Sequence, residues 1–142
     1  MTKKEYEGIK RKLNRYRELR GRVGRLTEEA ARWNAMAELS VPELRRAGGG
    51  RGVHRDMGEV KSSALIIEEE RDRLAREAMA QRRQLMELFS RLEDSAGRGI
   101  LEQVYITGST VREVAGALDV TEKTVLRKLR GAAEALARLG EL

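Results

Sequence analysis

From Val60 onward the apolar positions recur in unbroken steps of four and three, through Ala64, Ile67, Arg71, Leu74, Ala78, Gln81, Leu85, Leu88 and Leu92. Only a helix gathers such positions on one side, and a stripe this long is a seam that needs a second helix against it. The two polar members, Arg71 and Gln81, weaken the seam and can fix register or oligomer state. A similar stripe fills the first forty residues: Tyr6, Ile9 and Leu13, then Tyr16, Leu19, Val23, Leu26, Ala30, Trp33 and Ala37. Two successive steps of three, from Leu13 to Tyr16 to Leu19, predict a local slip in that helix. Trp33 sits at a seam position, where its ring serves packing rather than ligand stacking.

Between the seams, Pro42 and the run Gly48-Gly49-Gly50-Arg51-Gly52 predict a loop over roughly residues 40–58. The glycine run lacks the Gly-Lys-Ser/Thr ending of a phosphate-binding loop and follows no strand pattern, so a nucleotide site is not expected. His54, the only histidine, stands near Asp56 with no further ligand cluster, which predicts a solvated side chain and no metal. Two helices joined by such a loop form an antiparallel hairpin, residues 1–94. Folding the chain about Gly49 brings Glu68, Glu69 and Glu70 toward Glu28 and Glu29. Either the register shifts to avoid that repulsion or the helices pair between chains, and a homodimer is the expected state.

Charged residues make up 37% of the chain, aromatic residues 4%, and there is one proline, a balance that favours long solvated helices over sheets. The class is all-α. No cysteine is present, which removes disulfides and thiolate metal sites and agrees with a reducing cytoplasm. The longest aliphatic run, Ala64 to Ile67, is far too short to span a bilayer, and no apolar leader follows Lys3 and Lys4. A soluble, cytoplasmic protein without membrane contact is expected. The net charge is +6, yet residues 1–25 alone hold ten Lys/Arg against three Glu, so the rest of the chain is slightly acidic. Such a field attracts polyanions without reading their sequence, although a charge run is also the ordinary dress of a solvated helix.

Ser95-Ala96-Gly97-Arg98-Gly99 breaks the helical pattern and predicts a hinge before a C-terminal unit, residues 99–142. That unit divides into helices over 99–106, 111–118 and 122–139. Ile100, Leu101, Val104 and Tyr105 supply one apolar face, and Thr110 is a cap for the second helix. Val114 and Leu118 share a face, and Ala115 is small where two helices must cross closely. Asp119 falls at the turn, where a positive φ is expected and Asp tolerates it better than most side chains. Val120 is expected to plug that turn, and Thr121 to cap the third helix with its amides and hydroxyl toward a DNA phosphate. Val125, Leu129, Ala132 and Ala133 then face inward. If the third helix enters a major groove by its N-terminus, Lys123, Thr124 and Arg127 reach base edges, Arg127 being suited to bind guanine through two bonds. Lys128 and Arg130 are placed for phosphates.

The segment Val111-Arg112-Glu113-Val114-Ala115-Gly116-Ala117-Leu118-Asp119-Val120-Thr121-Glu122-Lys123-Thr124-Val125, with Leu129 and Ala132, resembles region four of bacterial sigma factors. It departs in placing Asp119 where Gly is usual, and nothing in the chain resembles the sigma regions that bind the polymerase core or melt DNA. The full order, with a basic helix, a Gly-rich loop, a second long helix and Tyr105-Ile106-Thr107-Gly108 before the last two helices, is similar to small late-gene regulators of phages and prophages. The resemblance implies a transcriptional regulator that binds specific double-stranded DNA and touches RNA polymerase, located in the bacterial host.

Two other classes remain open from the residues. A phage DNA-packaging subunit of the small-terminase kind also joins such a unit to oligomerising helices, and three helices can pack in an interaction protein that binds no DNA. An enzyme is not expected, because no carboxylate pair, metal cluster or nucleophile with its base emerges, and no cofactor is implied.

Overall fold

The computed structural model describes residues 1–46 and 57–140, and the side chains of 40–46 and Met57 lie outside that description. The described residues form six α-helices and no strand: α1 (Lys3–Leu13), α2 (Arg15–Arg46), α3 (Met57–Ser90), α4 (Ser95–Leu101), α5 (Val111–Leu118) and α6 (Glu122–Arg138), with a π-helical segment Glu102–Thr107 continuing α4. The chain is all-α, as its composition and periodicity predict.

α1 opens on a complete capping box: the Glu5 amide donates to Thr2 Oγ1 at 3.1 Å, and the Thr2 amide donates to Glu5 Oε2 at 3.3 Å. Asn14 ends it, at the point where the first stripe slips between Leu13 and Tyr16. α2 then runs further than the sequence predicts. It continues past Pro42 to Arg46. A proline inside a helix forfeits one hydrogen bond, but the following Glu43, Leu44, Arg45 and Arg46 are all good helix formers. The Gly48–Gly52 run, His54 and Asp56 lie outside the described residues.

The described chain divides into two compact units, and the division does not follow the boundary at 94–99 expected from chain order. One unit comprises residues 19–77; the other joins residues 1–18 to residues 78–142. In the first, the seams are visible in burial: Leu19, Ala30 and Ala37 of α2 and Val60, Ala64 and Leu74 of α3 are buried, and Trp33 is half-buried. Two of the carboxylates expected to repel have partners there. Glu68 Oε1 accepts from Asn34 Nδ2 at 3.0 Å, and Glu70 takes both its oxygens to Arg73. That pair, with Arg22 adding attraction, holds the Glu70 carboxyl below the ordinary range. With these partners in place, charge repulsion supplies no argument for pairing between chains.

In the second unit the core is built from Ile9 and Leu13 of α1, Leu85, Leu88 and Phe89 of α3, Leu101 of α4, Val104 and Tyr105 of the π-segment, Val114 of α5, and Val125, Leu129 and Leu136 of α6. The predicted hinge at Ser95–Gly99 is instead the first turn and a half of α4. Asp94 caps that helix by accepting from the Ala96 amide at 3.1 Å, and the chain breaks just before it. Gly97 belongs to packing here: a Cβ on it would sit 3.3 Å from the Ala132 Cβ of α6. The two helices cross there closely enough that any added Cβ would have to push its neighbour back by a few tenths of an ångström.

Candidate functional site

α5 and α6 occupy the predicted residues, and their ends are held by local bonds. Thr110 caps α5 by accepting from the Glu113 amide at 3.1 Å, while its hydroxyl donates to Glu113 Oε1 at 3.1 Å. Asp119 closes α5 in the left-handed region, at φ 54° and ψ 48°, the one non-glycine described residue with positive φ. The Val120 amide reaches back to the Ala115 carbonyl at 3.0 Å and the Asp119 amide to Gly116 at 3.3 Å. Those two bonds form a Schellman closure, so the turn is fixed by backbone and by the tolerance of Asp for this conformation.

Val120 therefore does less than a plug would. It is 40% exposed, and Leu118 is 47% exposed, whereas Val114 is fully buried. The outward pair shares a shallow groove with Gly99, Ile100 and Gln103. Ala115 is buried at the α5–α6 crossing, and Val125, Leu129, Ala132 and Ala133 face inward as expected.

Thr121 caps α6: its Oγ1 accepts from the Thr124 amide at 3.2 Å and lies 2.9 Å from Thr124 Oγ1. Thr124 is half-buried with its hydroxyl engaged in that pair, so it is less available to a ligand than the spacing implies. Of the five cations of α6, the four in its first half separate into two groups. Lys123, Arg127 and Arg130 line one cleft together with Leu126, which is 52% exposed. Lys128 lies apart from them, on the groove beside Leu118 and Val120.

The far wall of the cleft is α1 with the first turn of α2, more than a hundred residues away in the chain. Tyr6, Lys10, Asn14 and Arg17 face Lys123, Arg127 and Arg130 across it, with Tyr105 at its base. Arg130 ties the two helices together. Its Nη2 donates to the Met1 carbonyl at 3.1 Å, its guanidinium lies 5.4 Å from the centre of the Tyr6 ring, and its Nε is 3.8 Å from Glu134. Arg130 is thus engaged in the fold, where the sequence pattern assigns it to phosphates alone. Lys10 also lies over the Tyr6 ring, 4.8 Å from its centre, and pairs with Glu7 at 2.8 Å. Bonding to Lys10 lowers the Glu7 carboxyl below its usual range. Burial raises both tyrosines, Tyr105 to about 12, while Lys10 and Arg130 pull Tyr6 part of the way back.

Among the described residues, no carboxylate forms an ion pair with Lys123, Arg127 or Arg17. The cleft therefore presents three uncompensated cations on two helices, with two tyrosines between them. The sequence does not reveal α1 as part of the site. Its signal is the basic excess of residues 1–25, but nothing local says where that charge goes.

No group of three or more His, Asp or Glu able to hold a metal occurs among the described residues, and no described helix is long and apolar enough to cross a membrane. Neither a curated protein nor a solved structure matches the chain. Residues 38–137, which include part of α2 and all of α3, α4 and α5, match the family described as "Protein of unknown function (DUF1492)", and the chain belongs to that family.

Proposed function

We propose that the protein binds double-stranded DNA in a sequence-specific manner, with α5 and α6 acting as a helix-turn-helix and α6 as the reading helix. The observation that carries this reading is the exposed stripe of α6: Lys123 and Arg127 project from the first turns of a rigidly capped helix whose opposite face is buried. A reading helix needs that combination, since base edges are contacted from its N-terminal turns while the other face holds it at a fixed angle. Arg127 offers two donors to a guanine, and Lys123 one flexible charge. Thr121 and the α6 amides suit a phosphate. Lys128, on the other groove, is a weaker candidate for base contact. The sigma-region-four resemblance of Val111 to Val125 agrees with this role, and regulation of phage or prophage transcription, with contact to RNA polymerase, is the biological setting it suggests.

The test is Arg127→Ala measured against a selected duplex. Binding should weaken by about 1 to 3 kcal/mol and preference at one base position should relax. Equal weakening on all sequences would make Arg127 a phosphate contact instead.

A further inference from the structure

We infer that the cleft between α1 and α6 is a second DNA-contacting site, a channel for one phosphodiester strand that runs beside the groove α6 enters. The inference rests on the reading of α6 given above and adds a surface that this reading does not need. Its basis is the convergence of Lys10 of α1 and Arg17 of α2 on one cleft of about 550 Å³, whose opposite wall is the α6 face that carries Lys123 and Arg127. Like charges brought together by folding repel each other, and a ligand that bridges them removes that cost. Among the described residues the acidic relief is Glu7 on Lys10 and Glu134 on Arg130, and neither Arg17, Lys123 nor Arg127 has a carboxylate partner.

The shape of the charge selects the ligand. The cations stand on both walls of the cleft, so they suit an extended polyanion with regularly spaced single charges rather than one compact anion. Tyr6 and Tyr105 keep their protons through the neutral range, so their hydroxyls add no negative charge. α1 is held against α6 by Arg130, which bonds to the Met1 carbonyl and lies over Tyr6. The two rows of charge are therefore fixed relative to each other, and the basic N-terminus acts on the same strand as α6 within one chain. Affinity shared between them needs no second copy.

The experiment compares salt dependence of duplex binding, by fluorescence anisotropy with a selected duplex, for three full-length variants. Lys10→Gln with Arg17→Gln removes two cleft charges. Arg11→Gln with Lys12→Gln removes two charges from exposed positions of α1 that do not line the cleft. Arg127→Ala probes the reading helix. Circular dichroism melts verify that each variant folds. Abolishing one cation–phosphate pairing lowers the slope of log K against log salt by about 0.9. The Lys10/Arg17 variant should therefore drop by nearly two units of slope with its sequence preference intact, and the Arg11/Lys12 variant should drop much less. Equal drops in both pairs would mean a diffuse field and overturn the channel. An unchanged slope for Lys10/Arg17, with Arg127→Ala still relaxing preference, would overturn the channel and leave the reading helix standing. A wild type that binds no duplex, or that binds polyglutamate as tightly, would overturn both.

Discussion

Gly97 and Gly131 are both helical glycines in the same unit, and replacing each by alanine should move stability in opposite directions. At Gly131, in the exposed middle of α6, an added Cβ meets nothing within 4 Å. Alanine there recovers the helix propensity that glycine forfeits, about 0.8 to 1.0 kcal/mol. At Gly97 the new Cβ meets Asp94 Oδ2 at 2.9 Å and the Ala132 Cβ at 3.3 Å. Asp94 Oδ2 is the far end of a side chain that can turn, at a cost of at most about 1 kcal/mol if the Oδ1 cap of α4 is lost with it. Ala132 has no torsion with which to retreat, so the α4–α6 crossing must open by a few tenths of an ångström, and overpacking of this kind costs about 1 to 3 kcal/mol. Against a propensity gain of at most about 1 kcal/mol, Gly97→Ala should destabilise by about 1 to 3 kcal/mol. Urea unfolding followed by far-ultraviolet circular dichroism reads this as a lower midpoint for Gly97→Ala and a higher one for Gly131→Ala, with similar slopes. Equal stabilisation by the two would refute the close crossing, and with it the account of how α6 is held at its angle.

Other consequences are simpler. Thr110→Ala should cost about 1 kcal/mol by uncapping α5, measurable in the same urea experiment, whereas Thr107→Ala, at an exposed position without a capping bond, should leave the midpoint unchanged. Tyr105 is buried, so its folded state favours the neutral phenol, and its proton leaves at about pH 12 rather than 10. The stability this contributes is complete below pH 10 and is lost as pH rises toward 12, because the unfolded chain ionises first. Absorbance titration should show a late tyrosinate step that Tyr105→Phe removes; survival of that step in the variant would assign it to another tyrosine.

What the chain reveals by itself is what neighbouring residues decide among themselves. The caps at Thr110 and Thr121, the positive φ at Asp119 and the extents of α5 and the start of α6 all depend on partners three to five residues apart, and all are legible in the sequence. Gly97 and Gly99 carry the same local signal as a hinge, but the partner that explains Gly97 is Ala132 on another helix. Pro42 marks the end of α2 too early, because good helix formers follow it. The largest surprise is α1. Its charge is plain in residues 1–25, while its position against α6 rests on the burial of Ile9 and Leu13 and on Arg130 meeting Met1 across 129 residues, a separation over which no spacing rule operates. The placement also alters the division of labour expected from the sequence. Arg130 becomes a strut, Lys128 stands on a different groove, and Thr124 is tied to Thr121, so Lys123 and Arg127 are left as the principal readers.

Selection of bound fragments from a random duplex pool tests the central claim most directly, carried out at low and moderate salt with the wild type and with Arg127→Ala. The account predicts that the wild type enriches one short motif at both salt concentrations and that Arg127→Ala loses preference at one position within it. A pool that stays random for the wild type at both concentrations, despite normal folding, would contradict sequence-specific reading by α6.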